Sequence, residues 1–207
     1  MYANDAQKVR TSEVRLSYTH LNEPYANPTL VDSKPRYSTS LLIPKSDTAL
    51  LAELRAAISA AADAATSTVW GGYRLPDDVL YSLIKDGDGV KRDGKPYGPE
   101  AKGCWVLSAA ATPSQKPTVV HISNVKTPLA PEDIYSGMYA QVMLRFYGTA
   151  KGGNKVCCGL GNVCKTRDGE HLDNGRTDAS EDFADIEAAV ATSAPQVNPL
   201  TGLPMVG

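Results

Sequence analysis

The sequence predicts a mainly β domain, a small barrel with one inserted helix, followed by an acidic tail. Three observations carry this. Short segments with period-two alternation of apolar and polar residues recur through the first 165 residues. One alanine-rich stretch repeats large apolar residues at four-residue spacing, and from about Asp168 onward periodicity fades into acids and then into Pro, Gly and Ser. At 207 residues and 42% hydrophobic content the chain can bury one core with elaborations.

The first strand is EVRLSYT at 13 to 19, where Val14, Leu16 and Tyr18 alternate with Arg15, Ser17 and Thr19, the first set reading as the buried face. A Pro/Asn-rich loop follows, and a second strand at 37 to 43 ends at Pro44. Ser46 or Asp47 can cap the helix, in which Leu50, Leu54 and Ile58 form one thin apolar stripe up to about Ala65. Such a stripe packs on a barrel without crossing a core. Residues 70 to 103 read as long loops around the apolar patch VLYSLI, with at most one brief strand. Strands resume at 104 to 110, 118 to 123, 138 to 147 and 155 to 165. The predicted organisation is thus a body at 1 to 165 and an acidic, partly disordered tail at 166 to 207.

Charge divides at the same place. Residues 1 to 165 hold 19 Lys and Arg against 15 Asp and Glu, a net of +4, while residues 166 to 207 hold 2 against 8, a net of −6. The overall −2 therefore conceals a weakly basic body, which by itself is also what ordinary surface scatter gives. The polar N-terminus and the absence of an apolar run of bilayer length predict a cytoplasmic protein with no membrane contact. In that compartment Cys104, Cys157, Cys158 and Cys164 read as reduced thiols.

Motifs for chemistry are weak. The run from Gly89 to Pro96 approaches a phosphate-binding loop, but Pro96 occupies the place where a hydroxyl must reach Mg²⁺. Asp86, Asp88 and Gly89 begin like a calcium loop, but Val90 and Lys91 fill the next two defining positions, so a charged turn is expected. Adjacent Cys157 and Cys158 cannot form the usual metal chelate, and along a strand they point to opposite faces. His20, His121 and His171 show no spacing to a nucleophile. The sequence therefore predicts no catalytic residue, metal or cofactor.

The informative strand is 138 to 147. Ala140, Val142, Leu144 and Phe146 fall on one face, and Tyr139, Gln141, Met143, Arg145 and Tyr147 on the other. Tyrosines beside an arginine supply π-faces for bases and a cation for the backbone, the chemistry of a sequence-tolerant single-strand binder. The same residues would equally suit packing under the helix or against another chain. Lys151 and Lys155 follow in the glycine-containing loop TAKGGNK, where phosphates can pass. Trp105 alternates with Leu107 and Ala109 and reads as core, whereas Trp70 in WGGYR, with Tyr73 and Arg74, reads as an exposed stacking loop. Arg15, Lys34, Arg36 and Tyr37 surround the first two strands.

Four ordered segments carry a resemblance: VRLSYTHLNEP at 14 to 24, RYSTSLLIPKSD at 36 to 47, IYSGMYAQVMLRFYG at 134 to 148 and NKVCCGLGNVCKTRDGEHL at 154 to 172. Together they resemble a phage and prophage family related to the single-stranded-DNA-binding protein of short-tailed coliphages. The resemblance implies an OB-fold-like five-stranded barrel whose first two strands commonly face nucleic acid. It further implies single-stranded DNA as partner in replication or recombination, strand annealing, and an acidic tail that meets replication proteins. A homodimer is a further expectation. The tail departs from that relative, because DASEDFADIE is followed by a neutral Pro/Gly segment. The rival reading is a phage structural or assembly protein that uses the barrel for protein contacts.

Overall fold

A computed structural model describes residues 6 to 28, 33 to 91 and 93 to 172. The expected acidic tail lies outside the described residues from Asp173 onward, as does the segment containing Phe183.

Five strands close into a ring: β2 (Val14–Tyr25), β3 (Arg36–Pro44), β5 (Cys104–Ala111), β8 (Tyr139–Thr149) and β9 (Lys155–Arg167). β2 pairs with β3, β3 with β5, β8 with β9 and β2 with β8, all antiparallel, while β5 meets β9 in parallel at Ala110 and Gly159. This order, with one parallel contact among antiparallel neighbours, is the OB-like arrangement, and closure leaves these strands without open edges. The additional strands are β1 (Lys8–Arg10) on β8, β4 (Lys85–Asp86) on β5, and β6 (Val119–His121) with β7 (Asn124–Pro128) beyond β9. The ring encloses Leu16, Leu41, Ile43, Leu107, Val142, Leu144 and Phe146, all buried. β8 alternates as its sequence requires, with Ala140, Val142, Leu144 and Phe146 inward.

The helix α1 (Thr48–Thr68) starts at Asp47, whose carboxylate accepts from the Leu50 amide and from the Ser12 hydroxyl. Its buried face is wider than the stripe of large residues, because Ala57, Ala61, Ala62 and Ala65 join Leu50, Leu54 and Ile58 against the barrel core. Alanines permit a close approach to β8. A Cβ built on Gly148 would stand 2.1 Å from the Ala65 Cβ and 3.1 Å from the Trp70 ring, so glycine is required there.

Four expectations change. The apolar patch at 79 to 84 begins as a short helix, α2 (Asp77–Tyr81), and Leu80 is buried against the core. β6 falls inside the predicted 118 to 123 strand, whereas β1 and β7, which the sequence did not predict, are short and mostly exposed and carry little periodic signal. Trp70 is not a loop platform: it is only 5% exposed, and its indole N–H donates to the Thr149 carbonyl at 3.0 Å. Finally, alternation in β2 breaks after Leu16. The register to β3 shifts between Ser17 and His20, so Ser17 is 4% exposed while Tyr18 turns outward at 52%.

Candidate nucleic-acid interface

The outward face of the ring is small along β3 and β5. Ser38 faces Ala110 and Ser40 faces Ser108 across the pairing, and the two serine hydroxyls lie 3.2 Å apart. On β9 the outward Gly159 adds no side chain. Larger residues at the margins turn this low floor into three concavities of about 610, 640 and 780 Å³.

The first lies between β5, β9 and β8, under Tyr147 and Arg145, with Lys8, Arg36 and Lys116 on its walls. The second shares Arg36 and Ala110 with the first and adds Lys34 and Lys151, along with the stacked pair His20 and Tyr25, 4.3 Å between centroids. The third shares Tyr18, Ser40 and Ser108 with the second and adds Lys85, Lys91, Lys155 and Tyr97. Shared walls make them one track. Among the described residues it is lined by nine Lys and Arg side chains and one acid, Glu100. Residues 1 to 165 as a whole hold 19 cations against 15 acids, so the fold gathers positive charge here and leaves the acids elsewhere.

Tyr147 shows how β8 supports a stacking surface. A Cβ built on Gly159 would come 3.5 Å from its ring, so the tyrosine leans over bare backbone while remaining 41% exposed. Burial of its edge, with the Cys157 thiol beside it, pushes the phenol pKa above its ordinary value. Arg145 stands two positions away on the same face, exposed.

The twelve residues singled out from sequence divide sharply. Arg36, Tyr147, Arg145, Lys34, Lys151 and Lys155 line the track. Tyr37 and Trp70 are core residues, and Tyr37 offers its ring to the Lys116 ammonium, 5.9 Å away. Arg15 donates to the Gly137 and Glu170 carbonyls and pairs with the Glu170 carboxylate at 3.5 Å. Tyr139 lies under Arg167, whose guanidinium is 3.3 Å from the ring centroid. Arg74 ties α1 to α2 through Asp63 at 2.7 Å and Asp77 at 2.8 Å. Tyr73 is exposed but lies off the track. Neither Arg15, Tyr139 nor Arg74 lines it.

Sequence reasoning did not single out Lys8, Tyr18, Tyr25, Lys85, Lys91, Tyr97 and Lys116, which also line the track. Lys91 and Tyr97 belong to the long, charged 70 to 103 loop, whose length was the available signal. Tyr18 was hidden by apparent alternation.

No group of three or more His, Cys, Asp or Glu side chains among the described residues is arranged to hold a metal. Asp86 and Asp88 both pair with Lys45, the latter at 2.7 Å, as a charged turn should. Cys158 is buried, which pushes its thiol pKa far up and makes it inert, while neighbouring Cys157 turns outward. No helix among the described residues is long and apolar enough to cross a membrane.

Known proteins share this sequence pattern and fold. Residues 7–193 match the family model described as the ssDNA-binding protein of Enterobacter phage Enc34. A protein called p50 of Acyrthosiphon pisum secondary endosymbiont phage 1 is 30% identical over 195 residues, covering 88% of this chain and 95% of that protein. The solved structure of the bacteriophage Enc34 single-stranded DNA-binding protein in complex with ssDNA superposes with a TM-score of 0.65 at 28% identity, covering 81% of this chain and 90% of that one. The structure of gp2.5, a single-stranded DNA-binding protein of bacteriophage T7, shares the fold with a TM-score of 0.51 at 14% identity, over 86% and 93% of the two chains.

Proposed function

The chain belongs to the family of the Enterobacter phage Enc34 ssDNA-binding protein, and from that premise we propose that it coats single-stranded DNA during phage replication or recombination, without a chemical step. The observation that carries the reading is the continuous cationic track over a floor of Ser, Ala and Gly, with Tyr147 beside Arg145 at one end. Exposed rings stack on any base, and lysines and arginines follow the phosphates without reading sequence. Binding therefore tolerates sequence but requires unpaired bases. The place of action is the cytoplasm of the bacterial host, and the acidic segment beyond Asp173 is the feature suited to contact basic surfaces of replication proteins.

Charge on the track is tested through salt. Affinity for an oligonucleotide should fall linearly with the logarithm of salt concentration, and Arg36→Ala with Arg145→Ala should flatten that line by roughly 0.7 per lost phosphate contact. An unchanged slope in the double variant would remove the track from the binding surface.

A further inference from the structure

The sequence places aromatic stacking on β8 and in the loop around Trp70 and Tyr73, with Tyr37 near the first strands, yet the track has a further aromatic station at the end opposite Tyr147. Resting on the single-strand-binding reading above, we propose that Tyr18, with Lys91 and Tyr97, is a second base-stacking subsite, and that the β2 bulge exists to present it.

The backbone makes the first part of the case. Tyr18 has φ +49, the one non-glycine among the described residues in the left-handed region. A bulky residue there is strained, and such strain persists where its surroundings fix it. Both neighbours are fixed. The Ser17 carbonyl accepts from the Thr39 hydroxyl and the Thr19 amide donates to the Ser136 hydroxyl at 2.9 Å. Continued alternation would have sent the Tyr18 ring into the core. The bulge instead delivers it to the junction of two concavities, where both use it as a wall.

The surroundings make the second part. The Lys91 ammonium stands 5.9 Å from the Tyr18 ring centroid and 5.6 Å from that of Tyr97, a cation held between two π-faces. This repeats the composition of the β8 end, an exposed tyrosine beside a cation, in different elements. A base lying on Tyr18 would bring its phosphate toward Lys91, and the low Ser40 and Ser108 floor leaves room for the strand between the two stations.

The test uses the full chain and a sixteen-nucleotide oligothymidine, with affinity and thermal melting measured on the same samples. Tyr18→Ala and Tyr18→Gly should each weaken binding roughly tenfold or more, whereas Tyr18→Phe should bind within a few-fold of the unaltered protein. Tyr18→Gly relieves the backbone strain, so it should melt no lower than the unaltered chain while losing affinity, which separates stacking from folding. If Tyr18→Gly melts normally and binds as tightly as the unaltered chain, while Tyr147→Ala is impaired, the second station is refuted and the binding function stands. If the unaltered chain does not bind the oligonucleotide, the function itself fails and the station with it.

Discussion

Tyr147 and Trp70 show how much a single aromatic depends on what lies behind it. Tyr147 rests over Gly159 with its outer side open, whereas Trp70 is enclosed by α1 and β8 and hydrogen-bonded to Thr149. Their substitutions should therefore separate cleanly. Tyr147→Ala should lower single-strand affinity by about 1–3 kcal/mol with melting unchanged. Trp70→Ala should instead cost about 3–5 kcal/mol of stability, read by denaturant unfolding. Loss of affinity in a fully folded Trp70 variant would return that residue to the binding surface. The difference was not legible in WGGYR, because two glycines and an arginine look the same around an exposed ring as around one that closes a helix end. The facing of β8 was legible, since eight consecutive positions from Tyr139 to Phe146 keep strict alternation, but that alternation did not show that Arg167 covers Tyr139.

At the scale of elements, local rules held wherever one face is buried and failed where pairing is interrupted. The ring strands and α1 follow from periodicity and capping, but the β2 bulge follows from tertiary pinning at Ser17 and Thr19 that no local pattern encodes. Gly148→Ala should destabilise the fold by roughly 1–3 kcal/mol, because the new methyl meets Ala65 and backbone must shift; calorimetry reads it. Asp47→Ala should remove about 1 kcal/mol of helix capping. The Ser12 hydroxyl and the Leu50 amide hold the Asp47 carboxyl below its ordinary pKa. Its contribution is thus complete above the unfolded carboxylate value near 4 and is lost as pH falls through the lowered folded value. Melting of the unaltered chain and of Asp47→Ala should accordingly converge in strong acid, and a constant gap between them would contradict the cap.

For the whole molecule the governing feature is the separation of charge. Nine of the body's 19 Lys and Arg line one track with a single acid among them, while residues 173 to 187 hold six acids against Arg176. The described chain before that point is fastened to the barrel: Arg167 pairs with Glu13 at 2.9 Å, His171 stacks on Tyr135 at 3.8 Å, and the Leu172 amide donates to Ser136 at 2.8 Å. A truncation after Leu172 should leave the fold intact and raise single-strand affinity at low salt, because a tethered polyanion competes with phosphates, and the gain should shrink as salt screens it. An unchanged or weaker affinity with normal melting would show that the acids serve another purpose.

Whether the track takes unpaired strands by stacking and phosphate contacts is decided by anisotropy of one labelled oligonucleotide, single-stranded and annealed to its complement, at low and moderate salt. Tighter binding of the single strand at both concentrations, and weaker binding of either form as salt rises, is the expected result. Equal or tighter binding of the duplex, or no binding of the single strand at low salt, would contradict it.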